Sequence, residues 1–177
     1  MTTLIQLHTF LTQALEQREK KGDAITKAKR PVATALDLAE RCGAKIVVER
    51  TFAPAYHYIS DVITMPPPTW RLLRRPKLLA TIILHELVHF SGAASRLNRL
   101  HSAQRFDAAY NREELVAEVG AVLLSFDLGI TRRPILPNHK YLAGYLAAID
   151  RPDVALHVAL GQAEQAASFL HMLGKNR

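Results

Sequence analysis

An α+β fold is predicted for this chain of 177 residues by two observations. Short runs rich in β-branched residues cluster between residues 44 and 65, and helical periodicity dominates from Arg75 onward. Strands in one block and helices in another are the pattern of a segregated α+β architecture. At 49% hydrophobic and 22% charged, the composition is that of a soluble globular protein, long enough for one domain with a short appendage.

The elements follow in order. Leu4, Leu7, Leu11 and Leu15 recur at helical spacing and predict an amphipathic helix over residues 3–20. The charged stretch from Lys20 to Arg30, broken by Gly22, reads as a linker, so residues 1–30 form an N-terminal helix and basic linker and residues 31–177 the main domain. Pro31 suits the first turn of a helix that ends near Cys42-Gly43. "AKIVVER" is a short strand, and "AYHYISDVITM" gives two more folded about Ser60-Asp61. Pro66-Pro67-Pro68 ends that pairing, because proline has no N–H for a ladder. Residues 77–91 form a helix stopped near Gly92. Asn98 to Asp107 is polar and irregular, and residues 111–128 form a long helix. "GITRRPILPN" is a loop, Asn138 caps a helix running to Ile149, and a last helix spans residues 153–173.

Composition excludes several classes. No apolar run approaches the roughly 18 residues of a membrane span, and the first residues lack the parts of a signal peptide. The single cysteine, Cys42, rules out an intrachain disulfide and any multi-cysteine metal site. A cytoplasmic protein with no membrane association is expected. The net charge of +7 comes visibly from two clusters, Arg18 to Arg30 and "RLLRRPK" from Arg71 to Lys77. They allow non-specific nucleic-acid contact through phosphates, although a solvated basic surface is the plainer reading and no base-reading signature is present.

The chemistry lies in "ILHELVHFSGAAS", which contains H-E-x-x-H. Residues four apart share a helix face, so His85 and His89 converge on one cation. Their imidazoles suit Zn2+, and Glu86 stands beside them to take a proton from water. The surrounding "LLATIILHELVHF" is apolar almost all round, and a carboxylate buried there requires a reason. A catalytic zinc site usually has three protein ligands. Ser95, placed where an H-x-x-G-x-x-H pattern has its third histidine, is a poor ligand, and His101 lies in an arginine-rich stretch with no evident scaffold. The better source is "NREELVAEVGAVLLSFDLG", where Glu114 and Glu118 share one face of an apolar helix. Glu114 is then the ligand and Glu118 an acceptor for a ligand histidine's N–H, or the reverse; Glu113 is expected to face solvent.

These residues resemble a known family, the zincin-like metallopeptidase domain at the C-terminal end of ArdC-type antirestriction proteins. Related domains occur in TraC-type plasmid primases and phage polyvalent proteins. The pieces "YHYISDVITMP", "TIILHELVHFSGAASRLNR", "EELVAEVGAVLLSFDLGI", "NHKYLAGYLAAI" and "GQAEQAASFL" carry the resemblance in order across residues 36–171. It implies a zincin fold with a small mixed or antiparallel sheet on the active-site helix and a mostly helical C-terminal half. It also implies zinc held by His85, His89 and an acid of "EELVAE", with Glu86 as base. The E-x-x-x-E spacing is similar to the E-x-x-x-D of other zincins, whose first acid binds metal, which favours Glu114 over Glu118. The chain departs from the family at Ala93, usually histidine, and at Phe106-Asp107, usually Phe-Gly. ArdC-type proteins also carry an N-terminal single-stranded-DNA-binding domain where this chain has a helix and basic linker, so DNA binding does not carry over directly.

The expected function is a zinc-dependent peptidase of mobile-element or antirestriction type acting on a host or partner polypeptide. Tyr110 and His139 are candidates to stabilise the oxyanion. The alternative is a catalytically silent zincin-fold protein acting as a DNA-associated binding module. A DNA-mimic mechanism conflicts with the positive charge.

Overall fold

The structure, a computed structural model, describes residues 30–99, 108–137, 139–149 and 151–175. The expected leucine-striped helix and linker, His101 and the Asn138 cap lie outside the described residues.

Helix α1 spans Pro31–Arg41, opened by a proline whose missing N–H costs nothing in the first turn. Gly43, at φ 74, turns the chain into strand β1, Lys45–Val48. Strands β2 (Ala55–His57) and β3 (Val62–Met65) form a hairpin, with Asp61 in the left-handed region at φ 53, a conformation that Asn and Asp tolerate better than most residues. The sheet order is β1-β3-β2. β3 pairs antiparallel with β2, Tyr56 opposite Ile63, and parallel with β1, Ile46 opposite Ile63. The sheet is therefore mixed, with β2 at one edge.

After the prolines comes a single turn absent from the sequence reading, α2 (Trp70–Leu73), capped by the Thr69 hydroxyl, which accepts from the Leu72 N–H at 3.3 Å. Helix α3 (Pro76–Ser91) carries the H-E-x-x-H motif, and from Leu79 onward only Ile82 is not buried. Helix α4 (Ala108–Asp127) is buried nearly all round from Leu115 to Phe126. Helices α5 (His139–Ala147) and α6 (Pro152–Lys175) complete the chain.

Position follows from burial. α4 lies between α3 and α6, while α1 packs on α3 and α6, and β2 and β3 rest against α3. Leu84, Leu87, Leu115, Val119 and Leu123 are fully or almost fully buried in this shared core. Two features fix α3 against α4. The buried hydroxyls of Thr81 and Ser125 lie 3.1 Å apart. At Gly120 the helices approach so closely that a β-carbon would stand 2.8 Å from Cγ2 of Val88. Among the described residues no helix is long and apolar enough to cross a membrane.

Candidate metal centre

α3 delivers His85, Glu86 and His89 on successive turns, and α4 delivers Glu113, Glu114 and Glu118 opposite them. The Nε2 atoms of His85 and His89 are 3.2 Å apart. The two Glu114 oxygens lie 3.6 Å from His85 Nε2 and 3.5 Å from His89 Nε2. A tetrahedral zinc with bonds of about 2.0–2.1 Å sets its donors about 3.3–3.4 Å apart, and the nearest approaches here are close to that spacing, with each histidine meeting a different Glu114 oxygen. His85, His89 and Glu114 together form the constellation suited to a divalent metal among the described residues.

The remaining acids address the outer nitrogens. A Glu118 oxygen is 3.1 Å from Nδ1 of His85, close enough for charge pairing although off the line of a hydrogen bond. Glu113 Oε1 is 3.3 Å from Nδ1 of His89. Glu113 thus corrects the expectation of a solvent-facing residue: it is 8% exposed. The helix is wrapped on nearly every side, so one step round from Glu114 is still interior.

Arg99 explains how that acid is tolerated. Its guanidinium donates to Glu113 Oε2 at 3.1 Å and Oε1 at 3.0 Å, and to the Val88 carbonyl at 2.9 Å. It also donates to the Ser91 hydroxyl at 3.2 Å. The same arginine accounts for Gly92. That residue ends the helix where the sequence suggested, at φ −81 and so without the left-handed conformation. Glycine is needed for space, because a β-carbon would stand 3.0 Å from Arg99 Nη2 and 3.2 Å from Glu113 Oε1.

Among the described residues, the loop after α3 therefore supplies arginines rather than a ligand. Ser95 sits exposed in its turn. Arg96 reaches the other way, donating to Asp61 Oδ2 at 3.1 Å and to the Tyr56 hydroxyl at 2.9 Å, with its guanidinium 3.6 Å over the Phe90 ring. This ties the hairpin to the end of the motif helix.

Charge sharpens the picture. Burial pushes both imidazoles toward the neutral form, but the carboxylates outweigh it. Contacts with Glu114 and Glu118 raise His85 well above its ordinary value, and contacts with Glu113 and Glu114 lift His89 to about 9. Burial works against ionised Glu114 and Glu113 too, yet the histidines hold Glu114, and the histidine and Arg99 hold Glu113, below the usual carboxylate range. The centre is a pocket of negative potential that favours a positive charge between its nitrogens. Glu86 is 6% exposed, and among the described residues its carboxylate makes no hydrogen bond.

Of the two suggested oxyanion partners, Tyr110 is half-buried at the start of α4, and the side chain of His139 lies outside the described residues. The structure adds Tyr141, two positions beyond His139. Its phenol donates to the Asn111 amide oxygen, one helical turn before Glu114. Burial, and then the Glu114 charge, push its pKa up. No spacing rule links α5 to α4, so only the packing exposes this tyrosine.

Several known proteins are similar to this chain in sequence or fold. The antirestriction ArdC protein of plasmid R388, solved bound to Mn(II), aligns with TM-score 0.66 at 26% identity, covering 81% of this chain and 53% of that one. Its metal-free structure aligns with TM-score 0.62 at 25% identity, covering 80% and 50%. An uncharacterized protein of Sinorhizobium fredii, y4eC, is 28% identical over 142 residues, 80% of this chain and 46% of that protein. The DNA primase TraC of Escherichia coli is 31% identical over 87 residues, 49% of this chain and 8% of the primase. The chain thus spans less than half the length of these two relatives. With its fold matching solved ArdC and its sequence matching the family across residues 33–162, the chain belongs to the zincin-like metallopeptidases.

Proposed function

We propose that this protein is a zinc-dependent peptidase of mobile-element or antirestriction type, cytoplasmic, which hydrolyses peptide bonds in a host or partner polypeptide. One observation carries the reading: His85, His89 and Glu114 offer ligand atoms that all lie within 4.8 Å of one another, and Glu86 stands next to His85 on the same helix with no hydrogen bond among the described residues.

A bound divalent cation supplies Lewis acidity, polarising the scissile carbonyl and acidifying the attacking water. Glu86 accepts a proton from that water as the oxygen bonds to the carbonyl carbon. It then returns the proton to the leaving nitrogen as the C–N bond breaks, giving a carboxylic acid and an amine. Tyr110 and His139 are candidates to stabilise the oxyanion, and Tyr141 joins them if its phenol exchanges the Asn111 amide oxygen, one turn before Glu114, for the substrate. β2, at the sheet edge beside α3, suits an extended substrate held by main-chain pairing. Glu118 and Glu113 orient His85 and His89.

Two nitrogens and one carboxylate favour zinc over manganese, even though the ArdC relative was solved with Mn(II). The experiment combines metal analysis with cleavage of an unstructured protein. Purified wild type should carry one zinc, not displaced by equimolar manganese. Glu86→Gln should keep the zinc and lose about 10²–10⁴-fold in rate. A folded wild type with no zinc affinity ends the enzyme reading, and undiminished hydrolysis by Glu86→Gln removes that residue as the base.

A further inference from the structure

The arginines that serve this fold have carboxylate partners: Arg41 with Asp37, Arg96 with Asp61, Arg99 with Glu113. Those around α2 do not. Arg71, Arg74, Arg75 and Lys77 are all exposed, and among the described residues none makes an ion pair. The sequence has no acidic residue between Asp61 and Glu86 to neutralise them. Beside two of them stands Trp70, the protein's single tryptophan, 63% exposed. The Arg71 and Arg74 guanidinium carbons lie 5.5 and 5.9 Å from its ring centroid. Leu72 alone anchors the turn, packing against the core, while Leu73 is 57% exposed. A proline run ending at Pro68 and the Pro76 start of α3 bracket the turn, so the ring is presented from a stiff support.

An exposed aromatic flanked by two uncompensated guanidinium groups, with two more cations following in sequence, matches single-stranded nucleic acid, whose bases stack on a ring while its phosphates pair with guanidinium groups. The geometry points to α2 as a docking surface for single-stranded nucleic acid, without sequence preference, independent of the metal centre. A membrane surface fits less well, because interfacial anchoring needs a long apolar helix face and α2 offers Trp70 and Leu73 only.

Because Trp70 is the sole tryptophan, its fluorescence reports the contact directly. Titrating the full-length protein with oligothymidylate or oligouridylate should quench that emission, with an affinity falling steeply as salt rises. In anisotropy with a labelled oligonucleotide, Trp70→Ala should weaken binding roughly five- to a hundredfold. Trp70→Phe should recover most of the loss, and Arg71→Ala with Arg74→Ala should reduce the salt dependence. Zinc affinity serves as the check on folding, and Glu86→Gln should bind normally. Three results overturn the assignment: no oligonucleotide binding at low salt, binding that leaves the tryptophan emission and all α2 variants unchanged, or quenching by anionic phosphatidylserine vesicles and not by oligonucleotides.

Discussion

Which nitrogen of His89 meets a cation is decided at its other nitrogen. With Glu113 accepting at Nδ1, the proton is held there and Nε2 faces Glu114 and His85. Arg99 makes this arrangement tolerable by pairing with both oxygens of a buried acid. Arg99→Ala is expected to lower zinc affinity about 10–100-fold, and Glu113→Gln, which keeps an acceptor, by less. Competition with a chelating dye measures both, and the melting temperature of metal-free protein separates positioning from general damage. The sequence made His85 and His89 and the pair Glu114–Glu118 readable because helical spacing alone puts each pair on one face, and Glu86 by its place in the H-E-x-x-H motif. It could not reveal Arg99, since a loop's return to its helix leaves no periodic trace, nor Tyr141, whose place depends on how α5 lies against α4.

Among the elements, the hairpin shows how far local signals reach. Its two strands and their turn are legible within eleven residues, because antiparallel neighbours are joined directly. The parallel pairing of β1 with β3 is not, because that contact skips an intervening strand. α2 escaped for a different reason: four residues are too few to display a period. The hairpin is held by Asp61, whose carboxyl the Arg96 hydrogen bonds keep below its usual range, and by Tyr56, which burial and the Asp61 contact push up to about 12. A carboxyl whose pKa falls on folding stabilises the native state above its unfolded pKa, and that contribution disappears as pH drops through the folded value. Asp61→Asn, which tolerates the same left-handed turn, should therefore melt lower than wild type at neutral pH and equally at acid pH below the carboxylate range. Since the side chain is half exposed, the gap should be small, about 1–3 °C. Parallel melting curves from pH 7 to pH 2 test it.

For the molecule as a whole, the fold class, the strand block and the helical remainder were legible from periodicity, because nearly every long element is amphipathic or buried along its length. What was not legible is how two helices, carrying all the acids and histidines of the centre, are pressed into one core. Binding and folding are consequently linked, for the site exists only when α3 and α4 are packed. At a free zinc concentration a hundredfold above the dissociation constant, the native state gains about 2.7 kcal/mol. For a domain of this size that is about 5–11 °C in melting temperature. Calorimetry with and without zinc should show the shift, a chelator should reverse it, and His89→Ala should abolish it.

All three candidate ligands stand on α3 and α4, and at Gly120 nothing larger than a hydrogen separates α4 from Val88. Helix spacing and the bite of the ligand set are therefore a single variable. The packed pair acts as a gauge for ionic radius, and part of its calibration is written at a glycine that has no donor atom to offer.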